Sequence, residues 1–281
     1  MNILIALLPA IGWGLIPLIV NKVPKSKPVN QILGVGIGAV LVGLIVTLIQ
    51  RPSMNLQISL LAIVSGAFWT MGQVGQFLSF TRIGVSKTMP ISTGFQLIGN
   101  TIIGVLIFGN WKTVNQYVLG ILALILIVIG VSLTTVTKNG DSKKISSKDI
   151  MLLIFTSIGY WVYSAFPNAV KADAQALFLP QTIGILLGAV IYITFTKRLV
   201  TTIKQRATWL DVLAGLAFGI GAYSYIISAQ MNGITSAFIY SQLSVIISTV
   251  GGMTILGEHK HGKELISTLV GLALIVVGAI L

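Results

Sequence analysis

Ten times along this chain an apolar run of roughly 17–23 residues recurs with charge confined to the joints and the ends of runs, and a helix needs about that length to cross a bilayer core. The runs cover about 2–20, 31–49, 58–80, 88–108, 117–137, 150–166, 176–196, 209–230, 234–256 and 264–281. No water inside a bilayer can satisfy backbone N–H and C=O groups, so segments of this length close their own hydrogen bonds as α-helices. The expected fold class is an all-α membrane protein with ten transmembrane helices. Composition agrees: 55% of the 281 residues are hydrophobic and 9% are charged, too little charge to clothe a soluble domain. The first run opens at Asn2 with no basic leader and no small-residue cleavage pattern after it. It is expected to stay as a span rather than to be removed as a signal peptide.

Eighteen Lys and Arg against six Asp and Glu give a formal charge of +12. In a soluble chain that excess would suggest nucleic acid. Here no nucleic-acid partner is expected, because membrane topology and anionic lipid headgroups account for basic residues placed in joints. Fifteen of the eighteen fall in the odd-numbered joints, at Lys22, Lys25, Lys27, Arg82, Lys87, Lys138, Lys143, Lys144, Lys148, Lys197, Arg198, Lys204, Arg206, Lys260 and Lys263. Only Arg51, Lys112 and Lys171 fall in the even-numbered ones. The positive-inside rule then makes the odd joints cytoplasmic and places both termini outside.

The chain also repeats itself. Ile11-Gly12-Trp13 is echoed by Ile158-Gly159-Tyr160, and Gln31-x-x-Gly34-x-x-x-Gly38-Ala39-Val40 by Gln181-x-x-Gly184-x-x-x-Gly188-Ala189-Val190. Gly84-Val85-Ser86 matches Gly233-Ile234-Thr235, and Ile107-Phe108-Gly109-Asn110 matches Ile255-Leu256-Gly257-Glu258, all at an offset of 147–150 residues. The expected organisation is a first five-helix repeat over 1–137, a cytoplasmic linker over 138–149 and a second repeat over 150–281. An odd number of spans per copy inverts the second copy relative to the first, which is a transporter architecture with its site near the midplane.

Several chemistries are excluded. No Gly-x4-Gly-Lys-Ser/Thr loop is present to cradle ATP phosphates,. The chain has no cysteine, hence no thiolate nucleophile or Cys-based metal site. His259 and His261 flank Lys260 in a basic joint, and with Glu258 alone they make a poor metal site. No metal, no cofactor and no enzymatic activity is expected. No span carries charge at its centre, which argues against transport of cations through a mid-membrane carboxylate.

Neutral polar groups inside the spans remain. Trp69, Gln73 and Gln76 stand at i, i+4 and i+7, and Thr93, Gln96 and Asn100 at i, i+3 and i+7, so each set forms a stripe on one helix face,. Amides buried in apolar runs are costly without partners. Side-chain amides offer paired donors and acceptors to hydroxyls, and aromatic rings cover the C–H face of a sugar. The candidate substrate-binding residues are Trp13, Trp69, Gln73, Gln76, Thr93, Gln96, Asn100, Tyr160, Tyr223, Tyr240 and Gln242, with Tyr163 and Tyr225 as further aromatics. The competing reading is that amides and hydroxyls bond across helices only to hold the bundle. Two such runs in neighbouring spans favour the site.

The block Ile83-Gly84-Val85-Ser86-Lys87-Thr88-Met89-Pro90-Ile91-Ser92-Thr93-Gly94-x-Gln96-Leu97, with Phe108-Gly109-Asn110-Trp111 after it, resembles the glucose/ribose porter family, a bacterial sugar-uptake branch of the drug/metabolite transporter superfamily. The resemblance extends over essentially the whole chain, through Ile11-Gly12-Trp13-Gly14, Gly159-Tyr160-Trp161, Ile227-Ser228-Ala229-Gln230 and Ile255-Leu256-Gly257-Glu258-His259-Lys260. It implies ten helices in a bacterial cytoplasmic membrane and monosaccharide uptake with protons as the coupling ion. Glucose-type members tend to carry Glu where this chain has Asn110, which removes one candidate proton carrier and leaves Glu258 as the proton-coupling candidate. The expected function is secondary-active uptake of a neutral monosaccharide, glucose first and ribose second, by alternating access. The alternative is an amino-acid or small-metabolite exporter of the same superfamily. The expected partners are the sugar, protons and membrane lipids.

Overall fold

The computed structural model describes residues 3–136, 145–170 and 172–281, the side chains of 234–236 excepted. It contains α1 (Ile3–Lys22), α2 (Pro28–Gln50), α3 (Leu56–Ile83), α4 (Val85–Leu106), α5 (Val114–Thr134), α6 (Ser147–Val170), α7 (Ala174–Phe195), α8 (Leu199–Lys204), α9 (Arg206–Asn232), α10 (Ile234–Gln242), α11 (Ser244–Thr254) and α12 (Lys263–Ile280). Ten spans are long and apolar enough to cross a membrane: α1 to α7, α9, the α10–α11 pair and α12. The described residues contain no strand. Residues 138–144 of the expected linker, with Lys138, Lys143 and Lys144, lie outside the described residues, as does Lys171.

Two joints and one span differ from the sequence reading. The basic joint expected over 81–87 shrinks to Gly84, since α3 continues through Ile83 and α4 begins at Val85. Gly84 holds φ +84° and ψ 169°, a region that only a residue without Cβ enters cheaply. One glycine thus reverses the chain, and Lys87 becomes a buried residue of the first turns of α4. Gly233, at φ +83° and ψ 151°, does the same between α9 and α10. The ninth run is interrupted at Leu243, whose amide bonds the Tyr240 carbonyl at 3.2 Å while the Ile246 amide bonds the Leu243 carbonyl at 3.1 Å. These three-residue closures tighten the helix into a 3₁₀ turn at mid-span.

Helix packing is reciprocal. α1 packs on α9 and α11, and α6 packs on α3 and α4; α2 packs on α9, and α3 on α7; α2 also meets α7, α4 meets α11, and α5 meets α12. Matching α1 to α5 with α6, α7, α9, α10–α11 and α12 interchanges the first six of these pairs two by two and carries α2–α7, α4–α11 and α5–α12 each into itself. The closest approaches are made where side chains are missing. A Cβ on Gly12 would lie 2.6 Å from the Ala217 carbonyl oxygen, and one on Gly159 would lie 2.1 Å from that of Phe68. Without a hydrophobic drive between helices in lipid, such backbone approach supplies the dispersion contact that holds spans together.

Polar cross-links gather at the lysine-rich end. Ser26 Oγ donates to Asp211 Oδ2 at 2.5 Å, and Asn30 Nδ2 donates to Gln205 Oε1 at 2.6 Å and Thr208 Oγ1 at 2.9 Å. Arg82 pairs with Asp149 at 3.5 Å. The buried Lys260 ammonium donates to the Thr134 carbonyl at 2.9 Å and to Thr268 Oγ1 at 2.8 Å, tying the end of α5 to α12. A cation on those last carbonyls also complements the helix dipole.

Candidate functional site

A line of neutral hydrogen-bonding groups joins α6, α3 and α4. The Tyr160 hydroxyl of α6 donates to Gln73 Oε1 at 3.0 Å, and Gln73 Nε2 donates to Gln76 Oε1 at 3.3 Å. Gln76 Nε2 donates to Ser92 Oγ at 2.8 Å, and Gln96 Nε2 reaches the same hydroxyl at 3.3 Å. Gln73, Gln76 and Ser92 are 4%, 5% and 1% exposed, so the middle of the line is closed, while Gln96 at its end is half-buried. Bare backbone makes it possible: a Cβ on Gly72 would lie 2.7 Å from the Tyr160 ring. That glycine lets α6 lay its tyrosine on α3 within reach of Gln73.

Aromatic rings wall the line. The Trp69 ring lies 4.5 Å from that of Phe218, 6.0 Å from that of Tyr160 at 77°, and 6.3 Å from that of Tyr163, centroid to centroid. One turn along α9 from Phe218, Gly221 faces the Trp13 indole, and Tyr225 lies 5.7 Å from Trp13. The Trp13 Nε1–H is buried with no partner among the described residues, and a buried donor left unpaired costs about 1–3 kcal/mol. A hydroxyl-bearing solute would remove that cost.

The structure therefore brings Trp69, Gln73, Gln76, Gln96 and Tyr160 together, with Trp13 on the adjoining face of α9. Tyr223 instead packs on Phe178 of α7 at 5.8 Å. Gln242 turns back onto the Phe238 carbonyl and Ser241 of its own helix. Tyr240 is half-buried and makes no ring contact among the described residues. Thr93 is buried beside Ser92, and Asn100 lies further along α4. Ser92, which accepts from two glutamines, was missed in the sequence; its place one turn before Gln96 was the available signal. Phe218 carries no sequence signal, because an apolar residue in an apolar span looks like any other.

Glu258, in the loop after α11, sits at the start of α4. Its Oε1 accepts from the Val85 amide at 2.6 Å and its Oε2 from the Ser86 amide at 2.7 Å. A carboxylate there satisfies two orphan donors at the start of α4 and meets the positive end of the helix dipole. Asp211, by contrast, is fully buried, and its Oδ1 has no partner among the described residues. At the lysine-poor end a cavity of about 430 Å³ opens beside Asn100, Thr101, Asn110, Trp111, Gln116 and Phe238. Among the described residues no group of His, Asp and Glu is placed to hold a metal ion.

Comparison with known proteins places the chain in a family. Residues 4–281 match the family described as "Sugar transport protein". A Lactobacillus helveticus protein named "Putative sugar uptake protein" is 54% identical over 99% of each chain. A Latilactobacillus sakei protein named "Putative ribose uptake protein RbsU" is 42% identical over 98% of this chain and 96% of that one. A Staphylococcus aureus protein of the same name is 38% identical over 99% and 96%. A crystal structure 14% identical to this chain superposes with a TM-score of 0.61 over 98% of this chain and 95% of that chain, a likeness of fold alone. With ten membrane-length helices and a family match from end to end, this multi-pass membrane protein belongs to the sugar transport protein family.

Proposed function

We propose that the protein carries a neutral monosaccharide into the bacterial cell across the cytoplasmic membrane, by alternating access and with protons as the coupling ion. The observation that carries this reading is the line Tyr160–Gln73–Gln76–Ser92–Gln96 walled by Trp69. It offers amide and hydroxyl groups to sugar hydroxyls and ring faces to sugar C–H groups, with no charge to meet a zwitterion. Glucose and ribose are the two sugars to separate. The chain resembles glucose-type members of the family best around Gly84–Leu97 and Leu256–Lys260 and ribose-type members around Gly159–Ser164 and Ser228–Gln242. The names of the 42% and 38% identical relatives favour ribose.

The reciprocal helix pairing supports two inverted halves, 1–137 and 150–281, rocking about a shared site,. The excess of basic residues at one end supports both termini lying outside. Two carboxyls near that end are candidates for the proton. Glu258 has both oxygens engaged by the start of α4, whereas Asp211 keeps one oxygen open.

Counterflow in proteoliposomes with a panel of labelled sugars and amino acids tests the reading. Exchange of a monosaccharide is expected, and exchange of amino acids alone overturns it. Gln76→Ala removes the donor to Ser92 and the acceptor for Gln73, and is expected to lower kcat/KM for the sugar by about tenfold, the equivalent of one lost hydrogen bond of about 1.4 kcal/mol. Unchanged kinetics at unchanged abundance would separate the amide line from transport. A trapped pH dye should report proton movement with the sugar in the wild type and none in Asp211→Asn.

A further inference from the structure

The cavity at the lysine-poor end is not part of the buried amide line, yet it begins where that line stops. Ser92, Gln96, Asn100 and Gly104 follow one another at steps of four along α4, which keeps them on one slowly drifting face. The first two belong to the hydrogen-bonded line. The last two line the cavity. A single polar track therefore runs along α4 from the closed line to the open space.

The cavity is built into the bundle. Its lining comes from α4, α5, α10 and α12, and these pack as α4 on α5, α5 on α12 and α12 on α10, while α11 closes onto α4. Leu97, Ala123 and Ile127, all buried, make its apolar floor. One wall is a fixed indole. A Cβ on Gly120 would lie 1.9 Å from the Trp111 ring, so the ring lies directly on bare α5 backbone, and Tyr117 meets it edge-on at 5.4 Å. Beside the ring stand the exposed Asn110 amide and the half-buried Asn100 and Thr101. At about 430 Å³ the cavity falls in the range of about 300–1,000 Å³ typical of small-molecule sites.

We propose that this cavity is a second sugar-binding site, an outer vestibule that captures the monosaccharide before it passes along α4 to the amide line. The inference rests on the sugar-uptake reading above. Its chemistry is the same in kind: two asparagine amides, a threonine hydroxyl and a positioned indole, with no charged side chain in the lining. A neutral polyol can trade its water for these groups and place its C–H face on Trp111. An anionic solute finds no cationic side chain there.

The chain contains no cysteine, so a single introduced thiol is a clean probe of the full-length protein. Asn110→Cys in intact cells should react with a membrane-impermeant thiol reagent. The sugar identified by counterflow, at about ten times its dissociation constant, should slow that reaction about tenfold by occupancy. Gln96→Cys should stay unreactive in the same conformation. Thr101→Cys gives the same readout if Asn110→Cys is poorly made. Trp111→Ala should raise KM by about tenfold with little change in kcat, because it removes an early contact rather than one gained during translocation.

Labelling that the transported sugar does not slow overturns the vestibule while leaving uptake intact. Labelling seen only in inside-out vesicles overturns it as an outer site. A wild type that exchanges no sugar at all in counterflow overturns the functional reading itself, and the vestibule with it.

Discussion

Two corners of the molecule share a backbone design, but an acid stands in one where an amide stands in the other. At the first, Gly84 joins α3 to α4 at φ +84°, and the loop after α11 turns through Gly257 at φ +75°. At the second, Gly233 joins α9 to α10 at φ +83°, and the loop after α4 turns through Gly109 at φ +62°. The Glu258 amide bonds the Gly252 carbonyl at 3.1 Å, and the Asn110 amide bonds the Gly104 carbonyl at 3.0 Å. The side chains then part company. Glu258 is half-buried and holds the start of α4 through both oxygens, while Asn110 is exposed and lines the open cavity. A carboxylate at a helix start fastens one end of the bundle, and an amide in the matching loop leaves the other end open. A fold with paired corners can thus be biased toward one conformation by a single acid–amide difference, because the acid meets both orphan donors and the helix dipole.

The comparison can be broken most severely at Glu258. Glu258→Ala strands the Val85 and Ser86 amides, which belong to residues only 1% and 2% exposed, at a cost of about 2–4 kcal/mol for two unsatisfied donors. A lower unfolding temperature in detergent is expected, together with faster thiol labelling of Ser86→Cys from the lysine-rich side. Protected labelling with unchanged stability would show that the corner does not fasten α4.

The paired glycines sharpen the contrast at a smaller scale. Gly84→Ala forces a Cβ into an unfavourable φ and to 2.8 Å from the Glu258 carboxyl carbon, so a loss of about 1–3 kcal/mol is expected. Gly233→Ala has the same φ with nothing within 4 Å and should cost about 1–2 kcal/mol, the backbone part alone. Equal losses in a thermal comparison would mean that the Glu258 contact adds nothing.

The mildest change is Asn110→Glu, which gives the second corner a carboxylate. A gain of about 0.3–1 kcal/mol toward closure is expected if that group finds the start of α10. It should appear as slower labelling of Thr101→Cys and a lower initial uptake rate. Faster labelling would show that the corners are not equivalent.

Much of the fold was legible in the residues themselves. Run length identified all ten spans, though the joint at 81–87 was drawn seven residues wide where Gly84 alone makes the turn. Charge misled there, because Lys87 reads as a joint residue and is buried in α4. The stripe Trp69/Gln73/Gln76 was found by helical spacing and is joined in the structure, but its second half runs through Ser92 rather than Thr93. Spacings of three and four both place residues on one face, so periodicity could not choose between neighbouring hydroxyls. Tyr223 and Tyr225 were equally plausible as aromatics. They lie two positions apart on α9, and only the packing sends one to Phe178 and the other to Trp13.

The sequence alone determined the solvent in which this chain folds, the number of spans and the scarcity of charge within them. Each follows from a local rule: a bilayer core sets run length and forbids unpaired backbone. Tertiary structure alone decided which polar groups meet. Tyr160 reaches Gln73 across 87 residues, and Glu258 reaches Val85 across 173. Those meetings depend on how far each helix is rotated and how closely bare glycine backbone lets its neighbour approach. Neither quantity is written in the spacing of any one span.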